Sequence, residues 1–263
     1  MDLTKICAGA AVFLGLSLAP VAHGQQLVPT APPDHIHYYV PDTDKALTWY
    51  MKHFGGERVR DPRPNLPDEI LYGRTVFRFS KRDNSQPADG SVIDRVGFTV
   101  DNVDAKTEEL VADGAMVLQK HPTVAFLQDP WGGKIEILHP DNTPTNRLFF
   151  ISLRAADPAT LEKWVADTFG GTPDKLFGRF DGVKYGDLWV IFQNSDTAPS
   201  KGHAIDHLGW VVANMNDTMG NAKTRGYKVT VEPRSLGAMT IAYIEGPNGL
   251  SIELTQLTPG GEK

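Results

Sequence analysis

The sequence predicts an α+β protein built from four similar strand–helix units, and three observations predict it. Strand-like openings that lead into an amphipathic helix recur near His35, Arg95, Phe150 and His207, at intervals of roughly 55–60 residues. Each helical stretch has an Asp or Asn near its start and ends at glycine, as helices favour. The second and fourth units end in two strands that are joined by a turn containing proline and glycine.

The N-terminal 24 residues have the pattern of a secretory signal peptide. Lys5 precedes an apolar run over residues 6–22, and small residues at the end of this segment suit cleavage. We expect residues 1–24 to be removed, which leaves a periplasmic or secreted protein with no integral membrane span; a retained membrane anchor is the alternative. Cys7 is the single cysteine and lies in this segment, so the mature chain has no disulfide and no catalytic thiolate.

The composition is typical of a globular protein and excludes some partners. The chain has 263 residues, of which 41% are hydrophobic and 22% charged. This length is enough for one or two domains with their own cores. The net charge is −6 and there is no run of basic residues. We therefore expect neither nucleic acid nor an anionic membrane surface as a partner.

The first unit opens with a strand that carries two histidines. In residues 34–40, side chains alternate between the two faces of a strand, so His35, His37 and Tyr39 share one face. The Ile, Tyr and Val residues between them share the other face, which can pack on a helix. The His/His/Tyr face requires a polar cavity or a metal ion.

The units resemble one another in alternation. The first and third share a Tyr-Gly turn, at residues 71–75 and 184–188. The second and fourth share their closing hairpin, at residues 124–138 and 240–254. This alternation indicates that the chain consists of two duplicated halves.

The halves are expected to form two consecutive domains. A polar stretch rich in Pro, Asn and Thr, residues 140–147, is typical of a linker. The expected domains are residues 34–141 and 148–258, with two units each. Residues 25–33 are rich in proline and are expected to form a flexible leader.

The pattern resembles the vicinal oxygen chelate superfamily, which includes glyoxalase I, extradiol dioxygenases and bleomycin-resistance proteins. The resemblance rests on the Asp-His openings at 34–35 and 206–207, and on the Ile-Glu-Ile and Ile-Glu-Leu strands at 135–137 and 252–254. It implies that each unit is a βαβββ module. Modules would pair into two curved mixed sheets, the glyoxalase/bleomycin resistance/dihydroxybiphenyl dioxygenase-like fold. This fold supports several reactions and does not specify one.

The resemblance also implies where metal ligands lie. Metal-dependent members bind a divalent ion through histidines of opening strands and glutamates of closing strands. In units one to four, the opening positions hold His35, Arg95, Phe150 and His207, and the closing positions hold roughly Ser80, Glu136, roughly Gln193 and Glu253. An arginine cannot ligate a metal, so Arg95 and Glu136 are expected to form an ion pair.

The pairing of the modules decides whether a metal site exists. Pairing in chain order leaves both sites incomplete, whereas pairing unit one with four and two with three brings His35, His207 and Glu253 together as metal ligands. The exchanged pairing accounts for all the ligand losses and is favoured. His37 and Tyr39 share the face of His35 and are the candidate catalytic residues, His37 as acid or base. Ligation and a structural role remain alternatives for His37.

Two functions are compatible with these residues. The first is a secreted metalloenzyme whose small substrate chelates a divalent metal through adjacent oxygens, either a dioxygenase or a glyoxalase-type lyase. The ligand set does not distinguish iron, manganese, zinc and nickel. The second is a metal-free protein of the same fold that binds and sequesters a small molecule. Arg95 and Phe150 at ligand positions support the second, and the His207/Glu253 pair supports the first.

Overall fold

The computed structural model describes residues 26–61, 66–141 and 143–258. The expected signal segment, residues 1–24, lies outside the described residues. None of the helices within the described ranges combines the length and apolarity needed to cross a membrane.

The four units follow one another along the chain as strands with one helix each. Unit one contains β1 (His35–Val40), α1 (Thr43–Phe54), β2 (Glu57–Val59), β3 (Glu69–Tyr72) and β4 (Thr75–Lys81). Unit two contains β5 (Ile93–Thr99), α2 (Val103–Ala112), β6 (Met116–His121), β7 (Val124–Gln128) and β8 (Lys134–Leu138). Unit three contains β9 (Arg147–Ala155), α3 (Pro158–Phe169), β10 (Thr172–Leu176), β11 (Phe180–Tyr185) and β12 (Leu188–Asn194). Unit four contains β13 (Ile205–Val211), α4 (Met215–Thr224), β14 (Lys228–Ser235), β15 (Met239–Glu245), a short 3₁₀ turn at Pro247–Gly249 and β16 (Ser251–Leu257).

The strands of the described chain form two mixed sheets of eight strands each. The order in the first sheet is β14-β15-β16-β13-β1-β4-β3-β2, and in the second it is β10-β11-β12-β9-β5-β8-β7-β6. Unit one therefore pairs with unit four, and unit two with unit three. The predicted α+β fold and the exchanged pairing are confirmed. Each sheet takes one unit from each half, so neither sheet coincides with residues 34–141 or 148–258; these ranges stay predictions about the duplication.

The predicted helix starts are confirmed by their hydrogen bonds. The residues before the four helices accept a hydrogen bond from a backbone N–H three positions along; they are Asp42, Asn102, Asp157 and Asn214. Such a bond satisfies one of the free N–H groups of the first turn. Pro158 occupies the first turn of α3, where its missing N–H is not needed.

Aromatic stacking joins the two sheets. Phe54 of α1 stacks on Phe98 of β5, with ring centroids 4.1 Å apart. Phe169 of α3 stacks on Trp210 of β13 at 3.8 Å. In both cases the helix of an odd-numbered unit packs against the opening strand of the next unit, which belongs to the other sheet. One apolar core therefore extends across both sheets.

The described part of the expected flexible leader, residues 26–33, is packed. Leu27 and Val28 are buried, with 6% and 2% of their surface exposed. Their backbone N–H groups both donate to the Thr168 carbonyl at the end of α3, at 3.1 Å. The expectation of a flexible leader is wrong here, because these two apolar side chains gain more from burial than the segment loses by becoming ordered.

Asp129 is a buried acid at the turn between β7 and β8. Its Oδ1 accepts hydrogen bonds from the backbone N–H groups of Trp131 (2.8 Å) and Gly133 (2.7 Å), and its Oδ2 accepts one from the Tyr50 hydroxyl (2.6 Å). Burial raises the pKa of Asp129 to about 6, although these hydrogen bonds oppose the rise. Ionised Asp129 is therefore a source of instability at neutral pH.

We expect Asp129→Asn to gain stability relative to the wild type as the pH rises. The folded-state pKa exceeds the ordinary value, so the contribution of protonated Asp129 is complete below about pH 4 and is lost as the pH approaches 6. The difference amounts to about 3 kcal/mol, at about 1.4 kcal/mol per pKa unit. Urea unfolding between pH 4 and 7 measures it, with exposed Asp83→Asn as the control. A stability difference that does not change with pH would contradict the assignment.

Candidate metal centre

Three histidines and one glutamate meet at the middle of the first sheet. His35 and His37 lie on β1, His207 on β13 and Glu253 on β16. One nitrogen or oxygen atom from each side chain lies within 4.8 Å of the others, and all four residues are buried. The structure thus brings together the three predicted ligands and adds His37, which the sequence assigned to catalysis.

The register of β1 and β13 creates this meeting point. His37 lies opposite His207, and His35 lies opposite Gly209. The two rings of His37 and His207 have centroids 4.4 Å apart. A Cβ at Gly209 would overlap the His35 ring, so only glycine allows the ring to lie across the neighbouring strand.

Glu253 is the negative centre of the group. Its Oε2 accepts hydrogen bonds from His207 Nε2 and from the Tyr243 hydroxyl, both at 2.9 Å, and lies 3.4 Å from His35 Nε2. Burial opposes ionisation of Glu253, but the hydrogen bonds and charges of the two histidines outweigh it and hold the pKa of Glu253 well below its usual range. The side chain is therefore a carboxylate that can ligate a cation.

Each of the two opening histidines is oriented by the aspartate before it. Asp34 lies 3.0 Å from His35 Nδ1, and Asp206 accepts a hydrogen bond from His207 Nδ1 at 2.6 Å. Carboxylates in this position fix the ring and direct the other nitrogen, Nε2, towards the centre. Sequence reasoning did not assign this role to the aspartates, although the repeated Asp-His dipeptide carried the signal.

The same aspartates shift the ionisation of their neighbours. Burial lowers the pKa of His207, but the hydrogen bonds that its ring donates to Asp206 and Glu253 raise the pKa above its usual value. Burial raises the pKa of Asp34, but the hydrogen bond and charge of His35 reverse this and lower it. Without a metal, the centre is thus held together by charged hydrogen bonds.

His37 differs from the other two histidines because one ring nitrogen has no partner. Its Nε2 is hydrogen-bonded to Ser80 Oγ at 2.8 Å, whereas the buried Nδ1 has no hydrogen-bond partner among the described residues. Burial, with the nearby charges of His207 and His35, lowers the pKa of His37 well below its usual value. A neutral ring that donates to Ser80 leaves the Nδ1 lone pair free to accept a proton or to bind a metal.

Arg78, not Ser80, occupies the closing position of unit one. In unit four, Glu253 pairs with the residue two places after the opening histidine, which is Gly209. In unit one, the residue two places after His35 is His37, and it pairs with Arg78. Arg78 lies two residues before Ser80, the approximate position expected from the sequence, because only the strand register defines the counterpart.

Arg78 places a permanent positive charge beside the centre. It forms ion pairs with Glu69 and, at 3.7 Å, with Asp61, and its Nη1 lies 3.2 Å and 3.3 Å from the two ring nitrogens of His35. Burial disfavours the charged form, but Glu69 outweighs it and raises the pKa of Arg78. Arg78 cannot ligate a metal, but its charge can stabilise a negative group bound next to His35.

Tyr39 lies at the edge of the group rather than inside it. Its ring centroid is 5.5 Å from that of His37, and the Arg82 guanidinium lies over the ring at 4.8 Å. Tyr39 lines a cavity of about 190 Å³ together with Asp206 and Tyr243. This cavity adjoins the centre and offers Tyr39 a position from which to contact a substrate.

The second sheet has no corresponding metal group. Arg95 Nε donates to Glu136 at 2.6 Å, which is the predicted ion pair. The closing position of unit three is Ile191, which pairs with Ser152, and not the expected Gln193. Within residues 26–61, 66–141 and 143–258, only one group contains three or more potential metal ligands. It is the group of three histidines and one glutamate in the first sheet.

The first-sheet group fits a divalent transition metal. Imidazole nitrogens and a carboxylate oxygen are ordinary ligands of zinc, iron, nickel and manganese. The two aspartates supply the supporting hydrogen bonds that metal-binding histidines normally have. The free Nδ1 of His37 is a buried polar atom that needs a partner. Together these features satisfy the requirements of a site for one metal ion.

A family model matches the first half of the chain. Residues 33–137 match the model of the Glyoxalase/Bleomycin resistance protein/Dioxygenase superfamily. The chain is also 25% identical over 234 residues to the probable chloroplastic lactoylglutathione lyase of Arabidopsis thaliana. That match covers 77% of this chain but 65% of the relative, so the chain spans less than two thirds of the relative's length.

Solved structures show the same fold. Glyoxalase I from Zea mays superposes with a TM-score of 0.65 at 19% identity, over 85% of this chain and 92% of the other. A putative dioxygenase from Bacillus subtilis subsp. subtilis str. 168 has a TM-score of 0.64 at 15% identity, over 89% and 87%. At these identities the likeness establishes the fold alone, and the family model over residues 33–137 confirms the resemblance found in the sequence.

The two central glycines provide a matched test of the centre. We expect Gly209→Ala to displace His35 and abolish metal binding. Gly97→Ala crowds Phe150 at the equivalent place in the second sheet, and we expect this variant to bind metal as the wild type does. Both should lower stability by about 1–3 kcal/mol through overpacking. Metal content and thermal unfolding of the two variants are the measurements. Equal metal content in both would show that the position of His35 is not needed.

Proposed function

We propose that this protein, whose residues 33–137 match the model of the Glyoxalase/Bleomycin resistance protein/Dioxygenase superfamily, is a metal-dependent enzyme of the glyoxalase type. The observation that carries the proposal is the buried group of His35, His37, His207 and Glu253, within 4.8 Å of one another. The substrate would be a small molecule with adjacent oxygens, such as the adduct of a thiol and a 2-oxoaldehyde. The likeness to a probable lactoylglutathione lyase supports this class over ring cleavage by dioxygen.

The residues of the centre divide into two roles in this proposal. His35, His207 and Glu253 hold a divalent metal, and His37 moves the proton. A metal bound there supplies Lewis-acid polarisation of the substrate oxygens. Asp34 and Asp206 keep the two ligand rings in place.

His37 is suited to accept a proton from a carbon next to a carbonyl. Its Nδ1 lone pair is free, and the Ser80 hydroxyl holds the opposite nitrogen, which fixes the tautomer. Burial keeps water away, and the low pKa keeps the ring neutral at physiological pH. Arg78 stabilises the negative charge that develops on the substrate oxygen, because its guanidinium borders the His35 ring.

Metal analysis tests the first role. Residues 25–263, purified without an affinity metal, should contain about one divalent ion per chain. The His207→Ala/Glu253→Ala variant should contain none, and Glu136→Gln in the second sheet should keep the ion. If the wild type takes up no metal after incubation with manganese, iron, zinc and nickel, the enzyme proposal fails.

Kinetics of His37 variants test the second role. Proton transfer by a placed side chain contributes about 10²–10⁴-fold to the rate, so His37→Ala should lower kcat by about that factor with its metal content unchanged. The assay follows thioester formation from methylglyoxal and a thiol, with oxygen uptake on catechol measured in parallel. Loss of the metal in His37→Ala would instead make His37 a ligand. Oxygen uptake without thioester formation would favour the dioxygenase.

A metal-free binding protein is the second candidate, and Arg78 favours it. Its guanidinium lies beside His35 and would repel a cation, while it would attract an anionic ligand. The metal analysis above separates the two candidates. Under this candidate, an anionic small molecule would bind in the absence of any metal, and Arg78→Gln would weaken the binding.

Export is a separate part of the proposal. The basic start and apolar run of residues 1–24 support a signal peptide and a periplasmic or secreted enzyme. Mass spectrometry of the protein from a bacterial periplasmic extract would identify the mature N-terminus. In that compartment the thiol partner of the substrate would have to be one that is available outside the cytoplasm.

A further inference from the structure

The second sheet contains a large cavity at the place that corresponds to the metal centre. Its volume is about 770 Å³, against about 190 Å³ for the cavity beside the centre, and falls in the range of small-molecule sites. Arg95 and Glu136 line it. Arg95 pairs with Ser152 as His207 pairs with His37, so the two pockets are built on the same register. We call this pocket the Arg95 cavity.

Arg95 is a buried cation, and some N–H groups of its guanidinium form no hydrogen bond to a described residue. Only 4% of its surface is exposed. Its Nε donates to Glu136 at 2.6 Å, and its Nη1 donates to Gln193 at 3.1 Å and to Asp94. The two N–H groups on Nη2 make no hydrogen bond to any described residue. Because Arg95 lines the cavity, these N–H groups can donate to an acceptor that binds there.

Aromatic rings surround this donor. The Arg95 guanidinium lies 5.3 Å from the ring centroid of Phe126 and 5.8 Å from that of Phe150. Phe126 on β7 lines the cavity, and so does Phe180 on β11, towards the other end of the same sheet. A flat apolar body can therefore pack against the ring of Phe126 while its polar end reaches Arg95.

The charges around the cavity favour an anion at its mouth. Lys134 and Arg154 line the cavity, and both form ion pairs with Asp89 and with the buried Asp94. Arg179, exposed over the ring of Phe180 at 4.3 Å, forms no ion pair with a described residue. Two lining acids oppose an anion: Asp141, which is exposed on the rim, and Glu136, which is paired with Arg95. Arg179 is thus a cation available to a ligand entering the cavity.

We propose that the Arg95 cavity binds a small aromatic carboxylate. The carboxylate accepts hydrogen bonds from Nη2 of Arg95 at the floor, and the aromatic body packs against Phe126. Arg179 attracts the anion at the mouth. This site needs no metal and does not depend on the proposed activity of the first sheet.

Calorimetry with 2-naphthoate tests the assignment, with neutral 2-naphthamide as its matched counterpart. Residues 25–263 should bind about one naphthoate per chain, at least about tenfold more tightly than the amide. A charge-assisted hydrogen bond supplies a difference in affinity of this size. Arg95→Gln/Glu136→Gln removes one charge of each sign and should weaken naphthoate binding about tenfold or more. Arg179→Gln should weaken it severalfold at low salt only. His207→Ala, in the metal centre, should not change it.

Three results would overturn the proposal. They are the absence of naphthoate binding by the folded wild type, equal binding of the amide, and loss of binding in His207→Ala, which would place the ligand at the metal centre. If the double variant does not fold, NMR of the ¹⁵N signals of arginine side chains in the wild type tests the site instead. Naphthoate should shift the Arg95 Nη signals, and an unchanged Arg95 spectrum under saturating naphthoate would contradict the site.

Discussion

The antiparallel pairing of β1 with β13 is the constraint on which the candidate centre depends. It joins the first and last units of the chain, sets His37 opposite His207 and allows the His35 ring to cross over Gly209. A shift by one residue would turn all these side chains to the other face of the sheet. Metal binding, proton transfer and the ion pairs of the centre all follow from this one register.

In each sheet, two carboxylates accept hydrogen bonds from one nitrogen-containing side chain at the equivalent position. Asp206 and Glu253 hold His207, and Asp94 and Glu136 hold Arg95. Imidazole and guanidinium both donate to this frame, so either residue satisfies the buried acids. Only the imidazole can release its proton and bind a metal. The candidate metal centre and the candidate anion site thus differ in the residue between the two carboxylates, which is His207 in the first sheet and Arg95 in the second.

The two sheets are held together by contacts between neighbouring units. Phe54 stacks on Phe98, and Phe169 stacks on Trp210, each across the boundary from one sheet to the other. Backbone pairing therefore joins unit one to four and two to three, whereas side-chain packing joins one to two and three to four. Each face-to-face aromatic pair adds about 0.5–1.5 kcal/mol beyond the area it buries. Disturbing these stacks would loosen both pockets together.

The sequence by itself determined what depends on near neighbours: four units, their helix caps such as Asp42 and Asn214, and the Asp-His openings. These follow from short-range alternation and capping, which a few adjacent residues encode. The strand register was decided by the tertiary structure alone. It places Arg78, and not Ser80, at the closing position of unit one, and it leaves the Nδ1 of His37 without a partner among the described residues. The tertiary structure also confirmed the exchanged module pairing, which the sequence favoured but did not prove, and it showed the burial of Leu27. Register and pairing depend on packing between residues distant in the chain, which local patterns do not specify.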